Sequence, residues 1–115
     1  MEKLPFDELV PGRAGEPGGV LHVADGFGLG SRAFAPGEVF PAHHHNHFDE
    51  LFIGVSGTLT VTVAGREVRL TPGDKVVCAR GSVHSLANTT DSPAEIAYLK
   101  LPFVEDDTVW AEATA

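Results

Sequence analysis

From residue 20 to residue 101 the chain consists of short segments in which apolar and polar residues alternate, separated by glycine and proline. The clearest segment covers residues 58–63, where Leu59, Val61 and Val63 alternate with threonines. Successive side chains of a β-strand point to opposite faces, so this segment has one apolar face and one threonine face. No window shows helical periodicity, and the sequence therefore predicts an all-β domain.

Turn signals separate the predicted strands. Ala64 and Gly65 predict a tight turn into a strand at 67–70, and the run Thr-Pro-Gly-Asp at 71–74 predicts a reversal before a strand at 75–78. Further strands are predicted at residues 20–24, 29–35, 39–45, 49–55, 82–87 and 94–101. About nine short strands at this spacing are typical of a sandwich or barrel.

The length of 115 residues is that of one domain. Glycine and proline are dense in residues 11–19, so we expect residues 1–19 to form an N-terminal arm or loop. The β-domain is predicted at 20–103 and a C-terminal tail at 104–115. For the tail, a frayed end, a last strand and a short helix anchored by Trp110 all remain open.

Charge excludes two classes of partner. The formal net charge of -8 repels phosphate backbones and anionic lipids, so neither nucleic acid nor a membrane is expected to bind. Part of this acidity lies in Glu105, Asp106 and Asp107, which we predict to be a solvated surface run.

Neither a signal peptide nor a membrane span is predicted, because residues 1–10 have no apolar core and no long apolar run occurs. A cytoplasmic location is expected. The single cysteine, Cys78, lies in an apolar stretch and is predicted to be a small buried side chain and not a catalytic thiol.

Histidines are concentrated near the middle of the chain. Five of the six fall at positions 43, 44, 45, 47 and 84. Imidazole nitrogen and carboxylate oxygen suit iron, manganese, nickel, copper and zinc, so the cluster indicates a metal site. In an extended strand His43, His45 and His47 share one face, and His44 points to the other. Two or three imidazoles can therefore converge on one ion without His44.

Two more residues have the right phase to join this cluster. Glu50 opens the next predicted strand and shares a face with Phe52. A carboxylate that faces the interior needs a partner, because burying an unpaired charge is costly, and a metal is such a partner. His84 alternates with Ser82 and Leu86, so it can reach the same interior from a distant strand.

The spacing of these residues resembles the conserved motifs of the cupin superfamily. From Gly37 there are five residues to His43, one to His45, four to Glu50 and six to Gly57, which is similar to the first cupin motif. The resemblance covers residues 29–101.

The second cupin motif is matched from Gly73. Five residues lead to Ala79, followed by Arg80 and Gly81, then two to His84 and three to Asn88. Ala79 stands where the family usually has proline, which bears on turn rigidity more than on metal ligation.

The resemblance implies a double-stranded β-helix, or jelly-roll barrel, that holds one divalent metal ion (Fe, Mn, Ni, Zn or Cu) through His43, His45, Glu50 and His84. Such a ligand set on an octahedral ion leaves two positions open for water, dioxygen or substrate. Cupins include dioxygenases, isomerases, epimerases, decarboxylases, lyases, cyclases and binding proteins, so the resemblance does not select a reaction.

Glu50 and Tyr98 are the candidate catalytic residues. The resemblance allows Glu50 to leave the metal and act as a base. Tyr98 and Lys100 share a strand face, where a phenol or ammonium can orient or protonate a substrate, while Phe40 and Phe52 are predicted pocket walls. The alternative is that Tyr98 packs in the core and Lys100 is solvated.

Three histidines are not predicted to be ligands. For His22 and His44 we expect ordinary hydrogen-bonded roles. His47 can replace His43 in another register, bind substrate or face solvent, and we expect it to face solvent.

If Glu50 points inward, then Leu51, Ile53 and Val55 point outward and need covering by the edges of the second sheet, the N-terminal arm or another subunit. Of these we predict another subunit, and therefore a homodimer. Two functions remain open. The first is a small metalloenzyme, either an oxidoreductase of the dioxygenase type or an isomerase or lyase, acting on an organic acid, phenolic, sugar or polyketide-like substrate. The second is a non-catalytic module that binds or senses a small ligand.

Overall fold

The strands predicted from alternation are present in the structure, a computed structural model that describes residues 19–24 and 26–111. The predicted arm at residues 1–19 lies outside these residues except for Gly19. The strands within them are β1 (Gly19–Ala24), β2 (Phe27–Phe34), β3 (Val39–His44), β4 (Asp49–Ser56), β5 (Leu59–Val63), β6 (Arg66–Leu70), β7 (Lys75–Cys78), β8 (His84–Ala87), β9 (Ala94–Leu101) and β10 (Val109–Trp110).

These strands form two five-stranded antiparallel sheets. Sheet A has the order β1-β2-β9-β4-β7 and sheet B the order β10-β3-β8-β5-β6. This confirms the predicted all-β jelly roll, although within the described residues the two sheets do not close into a strict barrel. None of the described residues forms a helix that is long and apolar enough to cross a membrane.

The core lies between the inner faces of the two sheets. As predicted, Leu59 and Val61 are buried, and Val63 packs against the core at the end of β5. Their partners come from both sheets and include Phe34, Phe52, Leu70, Cys78, Leu86, Ala94 and Ile96. The alternation of apolar and polar residues therefore predicts which face of each central strand is buried.

Two turns that bound the core have the expected chemistry. Ala64 and Gly65 have φ values of 49° and 82°, the left-handed conformation that a tight hairpin between β5 and β6 requires. At the second turn, Asp74 accepts hydrogen bonds from the backbone and hydroxyl of Thr71. The backbone of this turn approaches Gly54 so closely that a Cβ there would overlap the carbonyl oxygen of Thr71. A residue with a side chain does not fit at this point of β4.

Asn88 follows β8 and closes the end of the fold opposite the histidines. It is buried, and its Nδ2 donates to the carbonyls of Phe34 and Ser92. Its Oδ1 accepts from the backbone and hydroxyl of Thr90. The last residue of the second motif is thus a structural link between β2 and the β8–β9 loop.

The C-terminal segment adds the tenth strand. Of the three options left open by the sequence, the described part of the tail adopts the strand: β10 pairs with β3, with Val109 opposite His44 and Trp110 opposite His43. The backbone N–H of Ala111 also donates to the carbonyl of Ala42 at 2.9 Å. The end of the described chain therefore lies directly beside the histidine-bearing strand.

Candidate metal centre

The four predicted metal ligands converge in the space between the sheets. His43 lies on β3, His45 follows that strand, Glu50 lies on β4 and His84 begins β8. Their exposed fractions are 3%, 4%, 5% and 1%, respectively. One ligand atom from each lies within 4.8 Å of those of the other three. Strand pairing contributes to this, because His43 and His84 are register partners across β3 and β8.

Backbone carbonyls fix the tautomer of all three imidazoles. Nδ1 of His43 donates to the carbonyl of Pro41 at 2.7 Å, and Nδ1 of His84 to that of Ser82 at 3.1 Å. Nδ1 of His45 donates to the carbonyl of Asp107 at 2.7 Å. A carbonyl oxygen only accepts, so the hydrogen is on Nδ1 and the Nε2 lone pair of a neutral ring is left for a metal.

The inner atoms of the cluster lack enough hydrogen-bond partners of their own. Nε2 of His84 is buried with no hydrogen-bond partner among the described residues, although it lies 3.4 Å from Oε1 of Glu50. Nε2 of His45 lies 3.1 Å from the same oxygen. A divalent ion would give the buried Nε2 its missing partner, and three imidazoles with one carboxylate suit iron, manganese, nickel, copper or zinc. The residues present therefore fit a metal ion.

The protonation states also suit a cation. Burial raises the pKa of Glu50, but the polar rings of His45 and His84 beside it and the charge of Lys100 outweigh this effect and lower the pKa to about 2. Burial lowers the pKa of His43 to about 4, against the opposing effect of its hydrogen bond to Pro41. At neutral pH the site therefore offers an ionised carboxylate and a neutral His43 ring, the forms that bind metals.

Asp107 holds the loop that carries His45. Its carboxylate accepts hydrogen bonds from the backbone N–H groups of Asn46 and His47 and from the ring of His47, at 3.2, 2.7 and 3.0 Å. Burial raises the pKa of Asp107, but these bonds lower it below its usual range. Asp107 is only 8% exposed, so the prediction that residues 105–107 are uniformly solvated is wrong for this residue.

The other central histidines lie outside the cluster. The side chain of His47 is 69% exposed and bonds to Asp107, so it faces solvent as expected. His44 lies on the opposite face of β3 from His43 and is only partly buried. Its position confirms that strand alternation separates it from the other two.

A cavity of about 160 Å³ opens beside the cluster. Its lining includes His43, His45 and Glu50 together with the predicted wall and polar residues Phe40, Phe52, Tyr98 and Lys100. Arg32 and Thr108 also line it and were missed by the sequence analysis. The signal for Arg32 was available, because it shares the inward phase of β2 with buried Phe34, whereas nothing in the tail sequence pointed to Thr108.

Burial keeps two other titratable groups in the protonated form. It raises the pKa of Tyr98 to about 12, with a further increase from nearby Glu50, so the phenol is a hydrogen donor at neutral pH. Burial also raises the pKa of Cys78 to about 12. Cys78 is thus a buried, unreactive thiol in the core, as predicted.

Comparison with known proteins gives a family and one curated relative. The family model of the cupin domain matches residues 31–100. A tetracenomycin polyketide synthase protein, TcmJ of Streptomyces glaucescens, is 34% identical over 70 residues, which is 61% of this chain and 47% of that protein. The chain thus spans about half the length of this relative.

Solved structures share the fold. A protein from Klebsiella pneumoniae with a double-stranded β-helix domain superposes with a TM-score of 0.74 at 23% identity, over 97% of this chain and 98% of that one. A sugar phosphate isomerase of the cupin superfamily from Silicibacter pomeroyi gives a TM-score of 0.63 at 26% identity, over 69% of this chain and 52% of that one.

Proposed function

The chain belongs to the cupin family, and from this premise we propose that it is a metalloenzyme acting on a small organic substrate held in the cavity beside His43, His45, Glu50 and His84. The observation that carries the proposal is the buried Nε2 of His84. It has no hydrogen-bond partner among the described residues, while its Nδ1 is held by a carbonyl. A buried nitrogen left unpaired in this way costs free energy, and a bound metal removes that cost.

A bound divalent ion would supply Lewis acidity, or oxygen activation if it is iron. The protein groups around it would divide the remaining tasks. A general base works best when its pKa lies near the working pH, so a carboxyl with a pKa of about 2 suits Glu50 as a ligand better than as a base. Tyr98 keeps its proton, and we assign it the role of donating a hydrogen bond or a proton to a substrate oxygen.

Two reaction classes remain within this proposal. One is oxygenation of an enolic or phenolic substrate by the iron form, which would make the protein a dioxygenase. The other is isomerisation or elimination with a metal that keeps its oxidation state. The similarity to a polyketide synthase protein supports including polyketide-like compounds among the substrates tested.

Metal analysis and turnover test the proposal. We expect protein purified without added metal to contain close to one equivalent of a transition metal. Oxygen consumption that depends on substrate would identify the dioxygenase, and turnover under nitrogen the isomerase or lyase. Tight substrate binding without turnover in either atmosphere would indicate a non-catalytic binding module instead.

Matched histidine variants test the ligand set. We expect His84→Ala to lose most of the metal, because it removes the ligand that closes the set from β8. His44→Ala also removes one imidazole but from the outer face of β3, so its metal content should equal that of the wild type. Equal metal in both variants would show that the ligand set is wrong.

A further inference from the structure

Two positively charged side chains line the cavity of this acidic protein. The chain carries a net charge of -8, yet Lys100 and Arg32 both contribute to the lining beside the metal cluster. Each points inward from sheet A, Lys100 from β9 and Arg32 from β2. The two side chains occupy different parts of the cavity. Lys100 pairs with Gly28 on β2, which lies four residues before Arg32 on the same strand.

Lys100 lies next to the metal cluster. It is the register partner of Glu50 across β4 and β9. Its Nζ lies 5.2 Å from the ring of Phe48 and 5.6 Å from that of Tyr98. Among the described residues no carboxylate oxygen comes within ion-pairing distance of Nζ. Aromatic faces stabilise an ammonium, but they do not neutralise it.

Arg32 lies among the apolar walls. Its guanidinium is 4.8 Å from the ring centroids of both Phe34 and Phe40, and one terminal nitrogen donates to Oε2 of Glu38 at 2.8 Å. Its Nε is buried and has no hydrogen-bond partner among the described residues. A guanidinium offers five N–H donors in a fixed plane, so Arg32 can donate further hydrogen bonds to an anionic ligand.

The charges at the centre leave a positive excess once a metal is bound. A divalent ion with three neutral imidazoles and one carboxylate has a net positive charge, to which Lys100 adds another. Glu38 offsets Arg32 but does not satisfy its Nε. Partial burial strengthens these charges relative to water, so the cavity favours an anion as its occupant.

We propose that the cavity binds a small organic anion whose metal-binding oxygens lie beside Lys100 and whose carboxylate faces Arg32, an assignment that rests on the proposed metal centre. The size of the ligand follows from the space. Cavities of about 150 Å³ hold a single aromatic ring, and this cavity measures about 160 Å³. Phe40, Phe52 and Leu86 supply apolar surface for such a ring.

A pair of probes tests this assignment without turnover. Protein loaded with Zn²⁺, which has no redox chemistry, is titrated with 3,4-dihydroxybenzoate and with catechol, which lacks the carboxylate. Binding is measured by calorimetry and by the emission of Trp110, the single tryptophan, whose ring stacks on Phe40 with centroids 5.5 Å apart. We expect the acid to bind at least about tenfold more tightly than catechol.

Charge variants locate the two ends of the ligand. Arg32→Gln should weaken binding of the acid by about tenfold and leave catechol within about twofold, a difference that a purely structural role would not produce. Lys100→Gln should weaken both probes. Lys75→Gln makes the same change of charge on an exposed residue of β7 and should match the wild type. If Arg32→Gln fails to fold, the acid-to-catechol ratio is measured in Arg32→Lys, which should retain most of it.

The outcomes separate this inference from the proposed function. A protein that binds no Zn²⁺ would overturn the metal centre itself. Zn²⁺ binding with equal affinity for the two probes, or with no affinity for either, would overturn the anion assignment alone. An unchanged preference for the acid in Arg32→Gln would likewise contradict the placement of the carboxylate.

Discussion

The ring of His45 is held from two directions. Its Nδ1 donates to the carbonyl of Asp107 at 2.7 Å, and its ring stacks on Phe48 with centroids 4.1 Å apart. Metal ligands need this support, because a ring that can rotate presents its lone pair only part of the time. The side chain of Asp107 then anchors the backbone of the two residues that follow His45.

Replacing the Asp107 carboxylate should weaken metal binding without touching a ligand. In Asp107→Asn one amide oxygen must serve three donors, so we expect the loop to shift and metal affinity to fall roughly 10–100-fold. Asp106→Asn is the matched control, because it removes the same charge from an exposed neighbour whose φ of 55° asparagine tolerates. Competition with a chromogenic chelator measures both affinities. An equal loss of metal affinity in the two variants would show that net charge, and not the hydrogen bonds of Asp107, sets the affinity.

For individual residues, the sequence predicts the metal ligands better than it predicts the residues that orient those ligands. The phase of His43, His45 and Glu50 follows from strand alternation, which is a local property. The bond between His45 and Asp107 joins residues 62 positions apart, and the acidic run around Asp107 has the composition of a solvated surface. No local pattern marks the one buried acid in that run.

In strand β5 the alternating apolar residues are the ones that stabilise the fold. Leu59 is 1% exposed and packs in the core, whereas Thr60 points away from it. We expect Leu59→Ala to lower the free energy of unfolding by about 2–5 kcal/mol, because it leaves a cavity that the two sheets cannot close. Thr60→Ala should change it by less than about 1 kcal/mol. Chemical denaturation of both variants measures the difference. Similar losses of stability would contradict the assignment of Leu59 to the buried face and Thr60 to the outer face.

Strand β10 depends on few contacts beyond its two residues. The N–H of Ala111 donates to the carbonyl of Ala42, and proline at position 111 cannot donate. We expect Ala111→Pro to loosen the stacking of Trp110 on Phe40 and to shift its emission towards that of a solvated indole. Ala111→Ser keeps the N–H and serves as control. An unchanged emission spectrum in the proline variant would mean that the ring contacts alone hold β10.

The contrast between β5 and β10 explains which elements could be predicted. Five alternating residues in β5 produce a periodic signal, and the left-handed turn after them has its own signature in Ala64 and Gly65. Two residues in β10 cannot show a period, so the sequence left strand, helix and frayed end equally open. Very short edge strands form through pairing with a neighbour and not through local preference.

The order of strands in the whole molecule is not a local property either. Periodicity predicts nine of the strands but not that β9 lies between β2 and β4, which brings Lys100 beside Glu50. The resemblance of the two histidine motifs to the cupins implied a double-stranded β-helix, but it did not place Lys100 beside Glu50. This long-range pairing brings the ammonium of Lys100 to the cavity, whereas Arg32 lies outside both histidine motifs and reaches the cavity through the phase of β2.

The outer face of sheet A remains to be covered, and we propose that a second copy of the chain covers it. Register places Leu29, Leu99, Leu51 and Val77 in one row across four strands. The next row along the strands contains Ser31, Ala97, Ile53 and Lys75. Neither row contains an acidic residue, although the chain has a net charge of -8. These two rows without acidic residues can meet their own copies across a two-fold axis and bury apolar surface at roughly 25 cal/mol per Å².

Matched glutamate variants on the two sheets test this homodimer. Val77 on sheet A is 62% exposed and Val39 on sheet B is 57% exposed, so a glutamate at either position costs the folded monomer little. We expect the wild type and Val39→Glu to sediment as dimers at micromolar concentration. Val77→Glu should sediment as a monomer, because the dimer would bury an unpaired glutamate of each subunit in the interface. A monomeric wild type would refute the homodimer, and a dimeric Val77→Glu would move the interface away from this face.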